Sequence, residues 1–214
     1  MFSQHQPLIA EHASTPEGLV DIALLAIVSA RMPFARVRED FAAVKNGDTT
    51  PLFAWKFEAY RRFKERAEKV KARLEREYGF TRRSPYLRTA YMLAEISGEY
   101  GLGFVKGGFV LQMAYGVSGC VDTRNIDTFG VSRNAVAPPS VALKYETRLR
   151  KARAYTKLIN SLGGTGFLWD AWCTYYADSG DNPDWSDGWD VSAEHCRILG
   201  IDPGERPQIE EIPF

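Results

Sequence analysis

The sequence predicts an all-α protein, and three observations carry that prediction. Apolar residues recur at helical spacing through most of the 214 residues. No stretch shows the alternation of a strand ladder, and no internal repeat is present. The punctuation is that of helix ends, with Thr-Pro and Ser-Pro starts and glycine stops.

Taken in order, "STPEGLVDIALLAIVSAR" opens a helix with Thr15 as N-cap, Pro16 at the first helical position and Glu17 near the positive end, and Met32-Pro33 closes it. A second helix covers Ala54 to Tyr78, rich in Glu, Lys, Arg and Ala, and stops at Gly79. Ser84-Pro85 opens a third, with Leu87, Ala90, Tyr91, Ala94 and Ile96 near helical spacing; Gly98 and the turn Gly101-Leu102-Gly103 end it. A fourth fits Phe104 to Tyr115, with Val105, Phe109, Val110 and Met113 as its apolar stripe. Gly116 to Pro139 shows no periodicity. A long helix follows from about Ser140 to Leu162, with Leu149, Ala152, Tyr155, Ile159 and Leu162 on one side, and "GGTG" breaks it. "FLWDAWCTYYA", Phe167 to Ala177, is aromatic enough to be a core helix, and a short last helix lies near Ser192 to Leu199. The expected organisation is one helical domain over 1–177, with an acidic Trp-containing loop and short helix, 178–214, packed on it.

Hydrophobic residues make up 45% and charged residues 25%, as in a globular protein, and the formal net charge is zero. The zero hides an asymmetry. Lys56 to Arg88 carries 12 Lys/Arg against five Glu, and Lys144 to Lys157 six against one; Asp178 to Phe214 carries two Arg against ten acids. Such segregation predicts a basic and an acidic face. Three cysteines without a CxxC pair point to free thiols in a reducing compartment. The first residues lack a signal peptide's n- and h-regions, and the most apolar run, Leu19 to Ala30, is short and contains Asp21. A cytoplasmic protein outside the membrane is the expectation.

The chemistry concentrates in "GLGFVKGGFVLQMAYGVSGCVDTRN", Gly101 to Asn125, which holds six of the 18 glycines. Two helices joined by Gly-apolar-Gly form a hairpin: glycine accepts positive φ, the middle residue fills the core, and the next helix begins with unpaired amides. Those amides form an anion site or simply end a tight connection.

The segment resembles the helix-hairpin-helix DNA glycosylases over about Pro85 to Asn125. "GLGFVKGGFVLQMAYG" matches the hairpin and its helix without a gap, and Asp122 of "CVDTRN" falls where that family places its catalytic aspartate. The resemblance implies a glycosylase-like helical bundle that binds duplex DNA through Gly101, Leu102, Gly103, Phe104, Lys106 and Arg124. It also implies that a damaged or mismatched nucleotide is flipped into a pocket. Asp122 would then stabilise positive charge on the sugar or activate the attacking group. From the residues alone, Asp122 reads equally as an N-cap or Asx-turn aspartate.

Three departures qualify what is implied. Bifunctional members carry a Schiff-base lysine where this chain has Val105, and Lys106 lies one residue on, about 100° around the helix. The implied enzyme is therefore monofunctional, with Lys106 as an accessory cation in the catalytic site. Arg124 replaces the histidine common after the aspartate's threonine. Three scattered cysteines cannot hold the iron–sulfur cluster of some relatives, so no cofactor is expected. With its "FVKGGFVLQM" and "GCVDTRN" segments the compact chain also looks similar to bacteriophage-encoded proteins, which implies a second expectation: a non-catalytic DNA-binding or virion protein of the same fold, located in the virion interior with virion protein partners.

Other constellations carry less. "DNPDWSDGWDVSAE" aligns with an EF-hand only by placing Pro183 and Trp185 at ligand positions, so no calcium loop is expected. Trp185 and Trp189 are expected to anchor the acidic loop, with Asp190 or Ser192 capping the last helix. His5, His12 and His195 show no metal-ligand spacing. Trp169, Trp172, Tyr175 and Tyr176 read as a core face before a base-stacking one.

Overall fold

The computed structural model describes residues 2–132, 143–178 and 189–204. Among these every regular element is a helix: α1 Phe2–His12, α2 Pro16–Val28, α3 Phe34–Lys45, α4 Ala54–Tyr78, α5 Pro85–Ile96, α6 Gly103–Tyr115, α7 Thr123–Thr128, α8 Tyr145–Ser161, α9 Gly164–Asp178 and α10 Trp189–Ile198. The all-α prediction therefore stands for the described residues. The acidic loop with Trp185, and the expected helix start at 140–142, lie outside them.

Four helices close a ring, since α2 packs on α4, α4 on α5, α5 on α6 and α6 on α2. The sequence explains why α2 is central. Every residue from Gly18 to Val28 is buried, and with Asp21 the one charged residue among them the helix has almost no polar face to offer water. Thr15 accepts from the Gly18 amide, so the predicted cap is formed. Outside the ring, α8 covers α5, α3 lies on α2, and α1, α9 and α10 pack together beside α6. Phe109 of α6 joins those outer helices to the ring. Its ring lies 5.6 to 6.1 Å from Trp169, Trp172 and His195, which bears out the reading of the two tryptophans as core.

Three helices escape the sequence reading: α1, α3 and the short α7, which lies in the stretch without periodicity. In α1 a Pro at position 7 and a polar run mask the pattern, and what holds it is tertiary: Ile9 is buried, and buried His5 Nδ1 lies 2.8 Å from Ser192 Oγ. Ser192 thus sits inside α10 bonded to α1, not at the helix start. In α3 the signal was present, because Val37, Phe41 and Val44 follow i, i+4, i+7 and are all buried.

Candidate functional site

The hairpin forms as its glycines require. Gly101 has φ +82° and Gly103 φ +57°, and Leu102 between them is buried. Gly101 serves packing as well as conformation: a β-carbon there would meet the Ala59 Cβ of α4 at 2.5 Å. Helix α6 starts without a side-chain cap. The side chains of Leu102 and Phe104 are core, so each has only main-chain groups to offer a ligand.

The glycines inside α6 have separate purposes. A β-carbon on Gly107 would stand 2.9 Å from Ile96 Cγ2, so this glycine lets α5 and α6 close together. One on Gly108 would collide with the Gly119 carbonyl oxygen, so this glycine lets the following loop lie against the helix. Gly116, at φ +64°, ends α6 in the left-handed conformation.

That loop is held by three buried side chains. Tyr155 Oη of α8 accepts from the Val121 amide at 3.0 Å and donates to the Gly119 carbonyl at 3.1 Å. Gln112 of α6 accepts from the Cys120 amide at 3.3 Å and donates to the Thr165 carbonyl at 2.8 Å. Asn125 Nδ2 donates to the Cys120 carbonyl at 2.7 Å. Ser118 in the same loop is buried at φ +68°, a conformation that is strained for any residue with a side chain. The loop is therefore fixed at several points before it reaches Asp122.

Asp122 is half-buried at the start of α7. Its Oδ1 accepts from the Asn125 amide at 3.1 Å, and its carbonyl accepts from the Ile126 amide at 2.9 Å. The Asx-cap geometry read from the sequence is present, and the residue is not sealed from solvent. Its charge and that of Lys106 both reach the Cys120 thiol. Burial, then the Asp122 carboxylate, raise that thiol to about 12, against a lowering by Lys106. Cys120 is accordingly no thiolate nucleophile.

Lys106 points to the end of α2. Its Nζ donates to Ser29 Oγ at 3.1 Å, and Ser29 is the C-cap of that helix. Lys56 of α4, which is buried, donates to the Val28 carbonyl at 2.8 Å. Two ammonium groups thus meet the negative end of α2. Burial, and then the charge of Lys106, bring the Lys56 amine down to about 8. Lys56 was not read from the sequence as anything but part of a basic run. Arg124 is the second residue of α7, and its side chain lies outside the described residues.

The expected basic face of α4 is largely neutralised. Arg61 and Arg62 pair with Glu58, Arg66 and Arg73 with Glu99, Arg76 with Glu77, and Lys71 with Glu75. A cavity of about 470 Å³ lies between α2 and α4, with Asp21, Lys45, Tyr60 and Lys64 in its wall. Among the described residues no group of side chains could hold a metal, and no helix is long and apolar enough to cross a membrane. Comparison with protein-family models, curated proteins and solved structures finds no match.

Proposed function

We propose that the chain binds duplex DNA and hydrolyses the N-glycosidic bond of a damaged or mismatched base, as the helix-hairpin-helix resemblance implies, with Asp122 as the catalytic carboxylate. The observation that supports this most directly is the construction around Asp122. A half-buried carboxylate stands on a loop pinned by Tyr155, Gln112 and Asn125. Fixed charge beside a reacting sugar is what glycosidic hydrolysis needs, because positive charge develops at the anomeric carbon as the base departs. The carboxylate stabilises that charge or takes a proton from the attacking water. The uncapped start of α6 supplies amides for a phosphate.

A second reading is favoured by one observation, the Asn125 amide bond to Asp122 Oδ1. It gives this carboxylate a structural purpose, as in a non-catalytic DNA-binding or virion protein of the same fold. Base release decides between the two. Duplexes carrying uracil, alkylated, oxidised or mismatched bases are incubated with wild type and Asp122→Asn. Asparagine keeps the capping oxygen and removes the charge. Release of one base by wild type and its loss in the variant, at unchanged melting temperature, supports excision. No release by wild type leaves the structural reading, and equal release by both makes Asp122 a turn residue only.

A further inference from the structure

We infer that the outer face of α8 is a docking track for the sugar–phosphate backbone of duplex DNA, separate from the hairpin and from Asp122. The inference rests on the DNA-binding part of the proposed function and not on its chemistry. Helix α8 buries Leu149, Ala152, Tyr155, Thr156 and Ile159 against the body. Its opposite side carries Arg150, Lys151, Arg153 and Lys157, with Lys144 just ahead of its first turn, and all five are exposed.

None of these five forms an ion pair with a described residue, whereas Arg61, Arg62, Arg66, Lys71, Arg73 and Arg76 of α4 all do. Glu146 is the one acid between Lys144 and Lys157. Arg150, Arg153 and Lys157 follow i, i+3, i+7, so like charges adjoin along one row, which works against the isolated helix. A polyanion laid along the row reverses that repulsion. The stretch from Lys144 to Lys157 spans roughly 20 Å of helix, over which a duplex presents about a dozen charges. The surface continues past α8: Tyr86 Oη donates to the Arg153 carbonyl at 2.9 Å, and exposed Arg82, also without an ion pair among the described residues, precedes that segment.

The same face argues against a lipid surface. A membrane-bound basic helix sets an apolar side into the acyl boundary. In α8 the apolar side is already core, and its outer face holds none of the large exposed hydrophobics, which are Phe53, Trp55, Phe57, Tyr78, Phe80 and Phe167. What α8 offers is charge without insertion, the pattern of phosphate contact.

The test is duplex binding by fluorescence anisotropy between about 50 and 200 mM salt. It compares wild type, Arg150→Gln/Arg153→Gln/Lys157→Gln, and the α4 control Arg61→Gln/Arg62→Gln. Losing three phosphate contacts should lower the slope of log affinity against log salt by about 3, with little change in the control. Lys151→Gln/Lys157→Gln, with a slope lower by about 2, serves if the triple variant melts early. An unchanged slope in a folded α8 variant overturns the track. So does a wild type that ignores duplex at low salt, or one that needs these residues for phosphatidylserine vesicles instead of DNA. The two readings fail separately: Asp122-dependent base release with an unchanged α8 slope removes the track alone, and a lowered slope without base release from any duplex removes excision alone.

Discussion

Gly108 of α6 and Gly119 of the loop that follows are packed backbone to backbone: the position a β-carbon would take on Gly108 is already occupied by the Gly119 carbonyl oxygen. Gly108→Ala must push that carbonyl away, and the carbonyl also accepts the Tyr155 hydroxyl. Overpacking of this kind costs about 1–3 kcal/mol, and a rigid backbone obstacle places it at the upper end. Gly107→Ala meets the Cγ2 methyl of Ile96, a side-chain group and not a backbone carbonyl, and should cost less. Urea denaturation of the two variants gives the comparison, and an equal or reversed order would show that the loop does not rest on α6.

Tyr155 holds both sides of that loop. Tyr155→Phe leaves the Gly119 carbonyl and the Val121 amide buried without their partner, at a cost of about 1–3 kcal/mol. The phenol itself stays protonated, because burial raises it well above its ordinary value, so the loss should be the same at pH 6 and pH 9. A loss confined to one of these pH values would mean that the hydroxyl acts through its ionisation.

These two residues show what was legible in the sequence. Periodicity and caps located α2, α4, α5 and α6 closely, and the hairpin glycines announced their positive φ through the Gly-x-Gly pattern itself. Gly107 and Gly108 read only as weak points in a helix, since their purpose lies in Ile96 and Gly119, contacts that no local pattern encodes. The same holds for the charges of α4. A run of lysines and arginines looks basic in sequence, but its partners include Glu99, a residue of the hairpin turn, which becomes a neighbour only after α4 and α5 pack. Asp122 was legible as a cap and as a candidate catalyst at once, because both roles ask for a short carboxylate at a helix start.

A pH dependence follows from Asp21. This nearly buried carboxylate lies 3.3 Å from His12 Nε2 and accepts from Lys45 Nζ at 2.6 Å, joining the ends of α1 and α3 to α2. Burial alone would raise its pKa; the bonds from His12 and Lys45 outweigh it and bring the value below the ordinary 3.8. The unfolded chain therefore binds the proton first. The stabilisation is complete above 3.8 and disappears as pH falls through the lower folded value. Urea midpoints between pH 2 and 6 should fall more steeply at the acid end for wild type than for Asp21→Asn, which should lose about 2 kcal/mol at pH 6. Parallel curves would place the acid sensitivity elsewhere.

Lys106 gives the last prediction, because its position and the proposed chemistry point the same way. An amine that attacks C1′ of an abasic sugar forms an imine with loss of water, and borohydride reduces that imine to a stable adduct. Lys106 is one residue beyond the position of the Schiff-base lysine implied by the resemblance, and its Nζ is directed to Ser29 at the end of α2. Incubation with an abasic duplex and borohydride should leave the protein without a covalent band, for wild type and Lys106→Ala alike. The substitution should be felt in stability instead: removing a cation from the negative end of α2 costs about 0.3–1 kcal/mol. Lys56, which donates to Val28 at the same helix end, limits the loss. A strong adduct in wild type that vanishes in Lys106→Ala would make this lysine a nucleophile and the enzyme bifunctional. An adduct that survives in Lys106→Ala but not in Lys56→Met would assign the attack to Lys56, the amine that burial holds at about 8.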